Sequence, residues 1–120
     1  MKKFLNAEVY SPLLGQKISQ ICIGRYIYTI VFDGGDHINA EYKISFLDDN
    51  ADQFENYIQL APREIGFSKL IDQVVLSVSV SDDRKSLSLV FPGNQRLTLH
   101  TEIGSVESGE IGVRGETLIF

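Results

Sequence analysis

The side chains able to do acid-base, nucleophilic or metal chemistry are few here, and their spacing does not gather them. His37 and His100 are the two histidines. Neither has a Cys, Asp or Glu at a ligand spacing, so no zinc set forms. Asp48, Asn50 and Asp52 match positions one, three and five of a calcium loop. Position six, however, is Gln53 instead of the glycine that makes the sharp turn, and position twelve is Gln59 instead of the bidentate glutamate. No serine lies in a Gly-x-Ser-x-Gly elbow. Asp33-Gly34-Gly35 lacks the lysine and the following helix of a phosphate loop, and reads as a turn. Glu107 and Glu110 could in principle share acid-base work, but a solvated face is the plainer reading. The expectation is a non-enzymatic protein with no catalytic residues, no metal site and no cofactor.

One charged stretch stands out. Asp48, Asp49, Asp52 and Glu55 are uninterrupted by a basic residue, with Phe54 and Tyr57 beside them. Such a run can be a solvated helix start, where carboxylates complement the helix dipole. It can also dock on a basic groove, the carboxylates standing where phosphates would bind. Net charge is −5, most of it in this middle segment. The basic stripe of a nucleic-acid binder is missing, which argues against direct nucleic-acid binding.

The elements that must position these residues are strands. Thr29 to Glu41 and Ser88 to His100 align without a gap at a spacing of 59 residues, set by Phe32 and Phe91. Each reads as an apolar strand, a turn at Gly34 or Gly93, and a second alternating strand opened by Ile38 or Leu97. A strand is also expected over 17–23, turning at Gly24-Arg25 into another over 26–32. Ile38, Ala40, Tyr42, Ile44 and Phe46 alternate with polar residues, the pattern of one long strand with a buried and a solvated face. Phe54, Tyr57, Ile58 and Leu60 recur at helical spacing behind Asn50 or Asp52 as a cap, so the connector should hold a short helix, with another turn near Leu70. Strands resume over 73–81, around Leu87 to Phe91 and Leu97 to Leu99, and twice near the end, with Arg114-Gly115 between them. Leu5, Ala7 and Val9 allow a short strand before Pro12.

The fold expected is therefore mainly β, about eight antiparallel strands in a sandwich or strongly curved sheet. It forms a single domain over 1–120: a first β unit at 17–47, a helical connector at 48–72 and a second β unit at 73–120. Cys22, between Ile21 and Ile23, is expected as a small buried thiol. The opening Lys2-Lys3-Phe4-Leu5 is broken by Asn6 and Glu8 before a secretory apolar region forms, and no run approaches a membrane span. A soluble cytoplasmic protein without membrane contact is expected.

Several features together resemble a group of small bacterial β proteins and the immunity proteins of contact-dependent growth inhibition systems. They are Gly15-x-x-Ile18, Phe32-Asp33-Gly34-Gly35 with Ile38 and Glu41, Leu70-Ile71 before Val74-Val75, Phe91-Pro92-Gly93 with Leu97, and Val106-Glu107-Ser108. Val106 and Gly109 depart from the group, where aromatics are common. The resemblance implies an inhibitor that covers the active site of a cognate toxin domain, a nuclease and by preference an RNase, whose substrate groove is basic. Asp48, Asp49, Asp52 and Glu55 are the expected charge contacts and Tyr57 an anchor, with Glu102, Glu107 and Glu110 as second choices; a monomer is favoured. Two other readings stand beside it. One is a small-ligand-binding or enzymatic β-barrel using Tyr26, Tyr28, Tyr42 and His37, and the other an interaction module with no toxin partner.

Overall fold

The computed structural model describes residues 3–25, 27–47, 53–57, 67–101 and 108–120, with backbone alone at 53–57 and 67–68. Ten antiparallel strands lie in this part of the chain: β1 (Ile18–Ile23), β2 (Tyr28–Phe32), β3 (His37–Ala40), β4 (Lys43–Leu47), β5 (Gln53–Tyr57), β6 (Ser77–Val80), β7 (Ser86–Phe91), β8 (Gln95–His100), β9 (Gly109–Val113) and β10 (Glu116–Ile119). They make two five-stranded sheets, ordered β1-β2-β3-β9-β10 and β5-β4-β8-β7-β6. Inward residues of both sheets join in one hydrophobic cluster, so the architecture is a sandwich.

The repeated hairpins are the centre of that sandwich. Tyr28 pairs with Ala40 and Ile30 with Ile38 in one sheet. At the same spacing, Leu87 pairs with Leu99 and Leu89 with Leu97 in the other. The ten inward positions of the two hairpins, from Tyr28 to Ala40 and from Leu87 to Leu99, are all buried. Each large side chain among them contributes about 1.5–3 kcal/mol relative to exposure. Beyond the hairpins the two halves exchange strands: β4 and β5 follow β3 in the chain but pair beside β8, while β9 and β10 follow β8 but pair beside β3.

That exchange corrects one expectation. The alternation from Ile38 to Phe46 belongs to two strands in different sheets, with the chain crossing at Glu41-Tyr42. Ile38, Ala40, Ile44 and Phe46 are all buried. A shared core lets the period of two run on while the hydrogen-bonding partner changes. A second correction concerns the connector: Gln53–Tyr57 is strand β5, paired with β4 so that Phe54 stands opposite Phe46. The backbone there is extended and paired, so the aromatic spacing does not mark a helix. Its later part does hold a 3-10 turn, Phe67–Leu70. The split strand and β5 raise the number of strands from the eight expected to ten.

Residues Ala7–Leu13 form a 3-10 helix where a short strand was expected. Tyr10 and Leu13, three apart, are buried on one side of it. Ahead of it Phe4 stacks on Phe120 with ring centroids 4.5 Å apart. The Leu5 amide donates to the Tyr10 hydroxyl at 2.9 Å, and burial raises the Tyr10 pKa, partly opposed by that bond. Arg114 and Gly115 both have positive φ in the tight turn between β9 and β10, as their sequence suggested. Among the described residues no helix is long and apolar enough to cross a membrane.

Candidate functional site

With the interior filled by side chains, the polar groups lie on the two outer sheet faces, and the strand registers decide which of them meet. On the first sheet Cys22, Thr29, Asn39, Glu110 and Ile119 fall in one row across β1, β2, β3, β9 and β10. The Thr29 hydroxyl donates to Asn39 Oδ1 at 2.8 Å, and Asn39 Nδ2 donates to Glu110 Oε1 at 2.8 Å. His37 Nε2 lies 3.7 Å from the same carboxylate oxygen. The His37 ring covers Gly112, its cross-strand neighbour, where a Cβ would collide with it. Glu110 is thus held by a chain of side chains that begins two strands away.

The second sheet carries the equivalent row. Ser88 and Thr98 exchange a hydrogen bond at 2.9 Å, at the positions that match Thr29 and Asn39 by the 59-residue spacing. Ser45 follows in register where the first sheet has Glu110. Its hydroxyl lies 2.7 Å from His100 Nε2, the distance of a nucleophile from its base. Backbone amides beside Ser45 would be one source of donors for an oxyanion. Here β4 and β8 each lie between two partners, so their amides serve the ladders. Ser45 and His100 form an ordered pair on this face. Arg96 and Lys43 add positive charge to this sheet.

A third cluster locks turns together. Asp36 is 8% exposed; its carboxylate accepts from Gln16 Nε2 at 2.7 Å and from the Arg114 amide at 3.0 Å. Gln16 also accepts from the Gly34 amide and donates to the Pro12 carbonyl. The β2–β3 turn, the β9–β10 turn and the loop before β1 therefore share one buried carboxylate. In the sequence Asp36 directly follows the Asp33-Gly34-Gly35 turn, a position that signals none of these contacts.

The expected site residues divide. Glu110 lies on the outer face of the first sheet. Glu55 and Tyr57 are in β5 on the second sheet, in register with Ser45 and Lys43, so they do not join Glu110. Asp48, Asp49, Asp52, Glu102 and Glu107 lie outside the described residues. Sequence reasoning missed Thr29, Asn39 and His37 as companions of Glu110; the repeat alignment, which pairs Thr29-Asn39 with Ser88-Thr98, was the available signal. Cys22 is exposed, a correction to the buried thiol: Ile21 takes the inward position opposite Ile30, which sends its neighbour out. Tyr28 is in the core while His37 is on the outer face, so these two do not line one cavity; Tyr26 lies outside the described residues. Three surface depressions among the described residues have volumes of about 180 to 300 Å³, at or below the lower bound of ligand pockets. Among the described residues no three His, Cys, Asp or Glu side chains gather to hold a metal ion.

Comparison of the chain with protein-family models, with curated proteins and with solved structures finds no match in any of the three.

Proposed function

We propose that this protein is an immunity-type inhibitor, a cytoplasmic, monomeric, non-enzymatic protein that binds a cognate toxin domain and covers its active site. The observation that carries the reading is the pre-ordered outer row Thr29–Asn39–Glu110, set on a rigid sandwich whose inward positions are filled. A surface whose polar side chains already hold one another loses little rotamer freedom when a partner arrives. The net charge of −5 steers such a surface toward a basic target, and a nuclease, RNase above all, offers a basic substrate groove. The resemblance to contact-dependent growth inhibition immunity proteins points the same way.

The test is genetic and then biochemical. The C-terminal domain encoded by the reading frame directly upstream is expressed alone and together with this chain. The reading expects growth arrest alone, relief on co-expression, and co-purification with a Kd of about 1 nM or tighter, the strength protection requires. A domain that arrests growth and is neither bound nor relieved by this chain ends the proposal.

A further inference from the structure

On the outer face of the second sheet the strand registers set three groups of β8 around Ser45. Thr98 stands directly opposite it, with His100 and Arg96 on the two diagonals. On one diagonal His100 Nε2 lies 2.7 Å from the Ser45 hydroxyl. On the other, Arg96 faces Leu47 and shares with Ser45, Leu47 and Thr98 a surface depression of about 180 Å³. Ser45 is half-buried, and Leu47 is 40% exposed. The Thr98 hydroxyl is engaged with Ser88 at 2.9 Å. Lys43 stands opposite His100 on β4 and Ser86 opposite it on β7, while Glu55 and Tyr57 on β5 are in register with Ser45 and Lys43.

We propose that Ser45 is an activated nucleophile that accepts one acyl group from a short-chain activated acyl donor, an ester or thioester. A serine hydroxyl alone attacks such a carbonyl slowly, and an imidazole at hydrogen-bond distance supplies the missing base. With Nε2 unprotonated, His100 takes the proton as Ser45 Oγ bonds to the carbonyl carbon. The carbonyl oxygen becomes an oxyanion, and the Arg96 guanidinium, on the side of Ser45 away from His100, is the donor that meets it. Because the ladders occupy the neighbouring backbone amides, a side-chain donor is what this place can offer. Collapse of the intermediate breaks the carbon–oxygen or carbon–sulfur bond to the leaving group, which departs with the proton from His100. The product is an O-acyl serine, and no oxidant, reductant or further reactant is consumed. The acyl chain lies in the depression beside Leu47, whose small volume selects a short one. Ser45 is modified once per chain, and the proposal does not rest on the inhibitor reading.

The full chain is incubated with p-nitrophenyl butyrate, and the butyryl adduct is counted by intact mass and located by peptide mapping. One adduct per chain at Ser45 is expected, with none at Ser88, whose partner is a hydroxyl. Ser45→Ala should lose that adduct. His100→Gln, which keeps a hydrogen-bonding group beside Ser45, should slow its formation about a hundredfold or more. Arg96→Gln should slow it about tenfold, less than the loss of a buried oxyanion donor because water shares the site. No adduct at Ser45, acylation confined to lysine side chains, or an adduct that forms as fast in His100→Gln overturns the proposal. An adduct that ignores Arg96→Gln overturns the part given to Arg96. The unaltered chain supplies a check that needs no variant to fold. Its labelling rate should rise with pH to a plateau, reached once the imidazole is neutral; a rate that climbs in proportion to hydroxide throughout overturns His100 as the base.

Discussion

The hairpins β2–β3 and β7–β8 share a register, the same five inward positions and the same outward side-chain bond, yet their surroundings differ at both ends. At the turn end, the first hairpin buries Asp36 and ties it to Gln16 and Arg114, whereas the second closes through Pro92–Asn94 with no residue of that turn buried. At the other end, Ala40 faces Gly109, where an added Cβ would meet the Asn39 carbonyl and the Phe120 ring; the matching pair in the second sheet is Leu99 and Ile44. One hairpin fills that place with its own large side chains. The other leaves it to an aromatic ring from the end of β10, stacked in turn on Phe4. A repeated backbone can therefore be completed in two ways, and the half that relies on distant segments is also the half whose outer face holds the ordered glutamate.

The comparison can be broken first in the core. Phe32→Ala and Phe91→Ala occupy matched buried positions and should each cost about 3–5 kcal/mol in urea unfolding; a difference well beyond that range would mean the hairpins are not equivalent in energy. Next come the turns. Asp36→Ala leaves the Arg114 amide and the Gln16 side chain without their acceptor and should cost about 2–3 kcal/mol, while Gln95→Ala at the matching place should stay within about 0.5 kcal/mol. Equal losses in thermal melts would deny the special role of the first turn.

A smaller effect follows from Tyr10. Its pKa is raised above 10.0 in the folded chain, so the unfolded chain ionises first and stability falls as pH rises past that value. Tyr10→Phe should lose about 1 kcal/mol at neutral pH, for want of the Leu5 bond, and show a shallower alkaline decline. The smallest effects are expected in the outer rows. Asn39→Ala and Thr98→Ala should each change stability by less than about 1 kcal/mol, and only Asn39→Ala should weaken partner binding in a calorimetric titration.

Much of this fold is legible in the chain itself, because its largest signal is local. The period of two from Thr29 to Phe32, the turn glycines and the 59-residue repeat fix both hairpins and their inward faces. What escapes is set by partners far along the chain. The switch of sheets at Glu41-Tyr42 leaves the alternation intact, so only pairing with β8 instead of β9 reveals it. Phe54 and Tyr57 look helical until Phe46 is placed opposite Phe54. Glu110 is visible as an acidic residue, but its contact with Asn39 spans 71 residues and depends on β9 joining β3. Asp36 is likewise a turn residue until the loop at Gln16 and the turn at Arg114 close around it.

The trading of terminal hairpins between the two sheets bears on how the molecule can be divided. Cleavage between Leu70 and Ser77 would give two fragments, and each would lack two of the five strands that complete its own sheet. Alone, each fragment leaves half an apolar interior open to water; mixed, they can reassemble only by interleaving. The sandwich is therefore a natural split reporter, dark as separate pieces and whole as a pair.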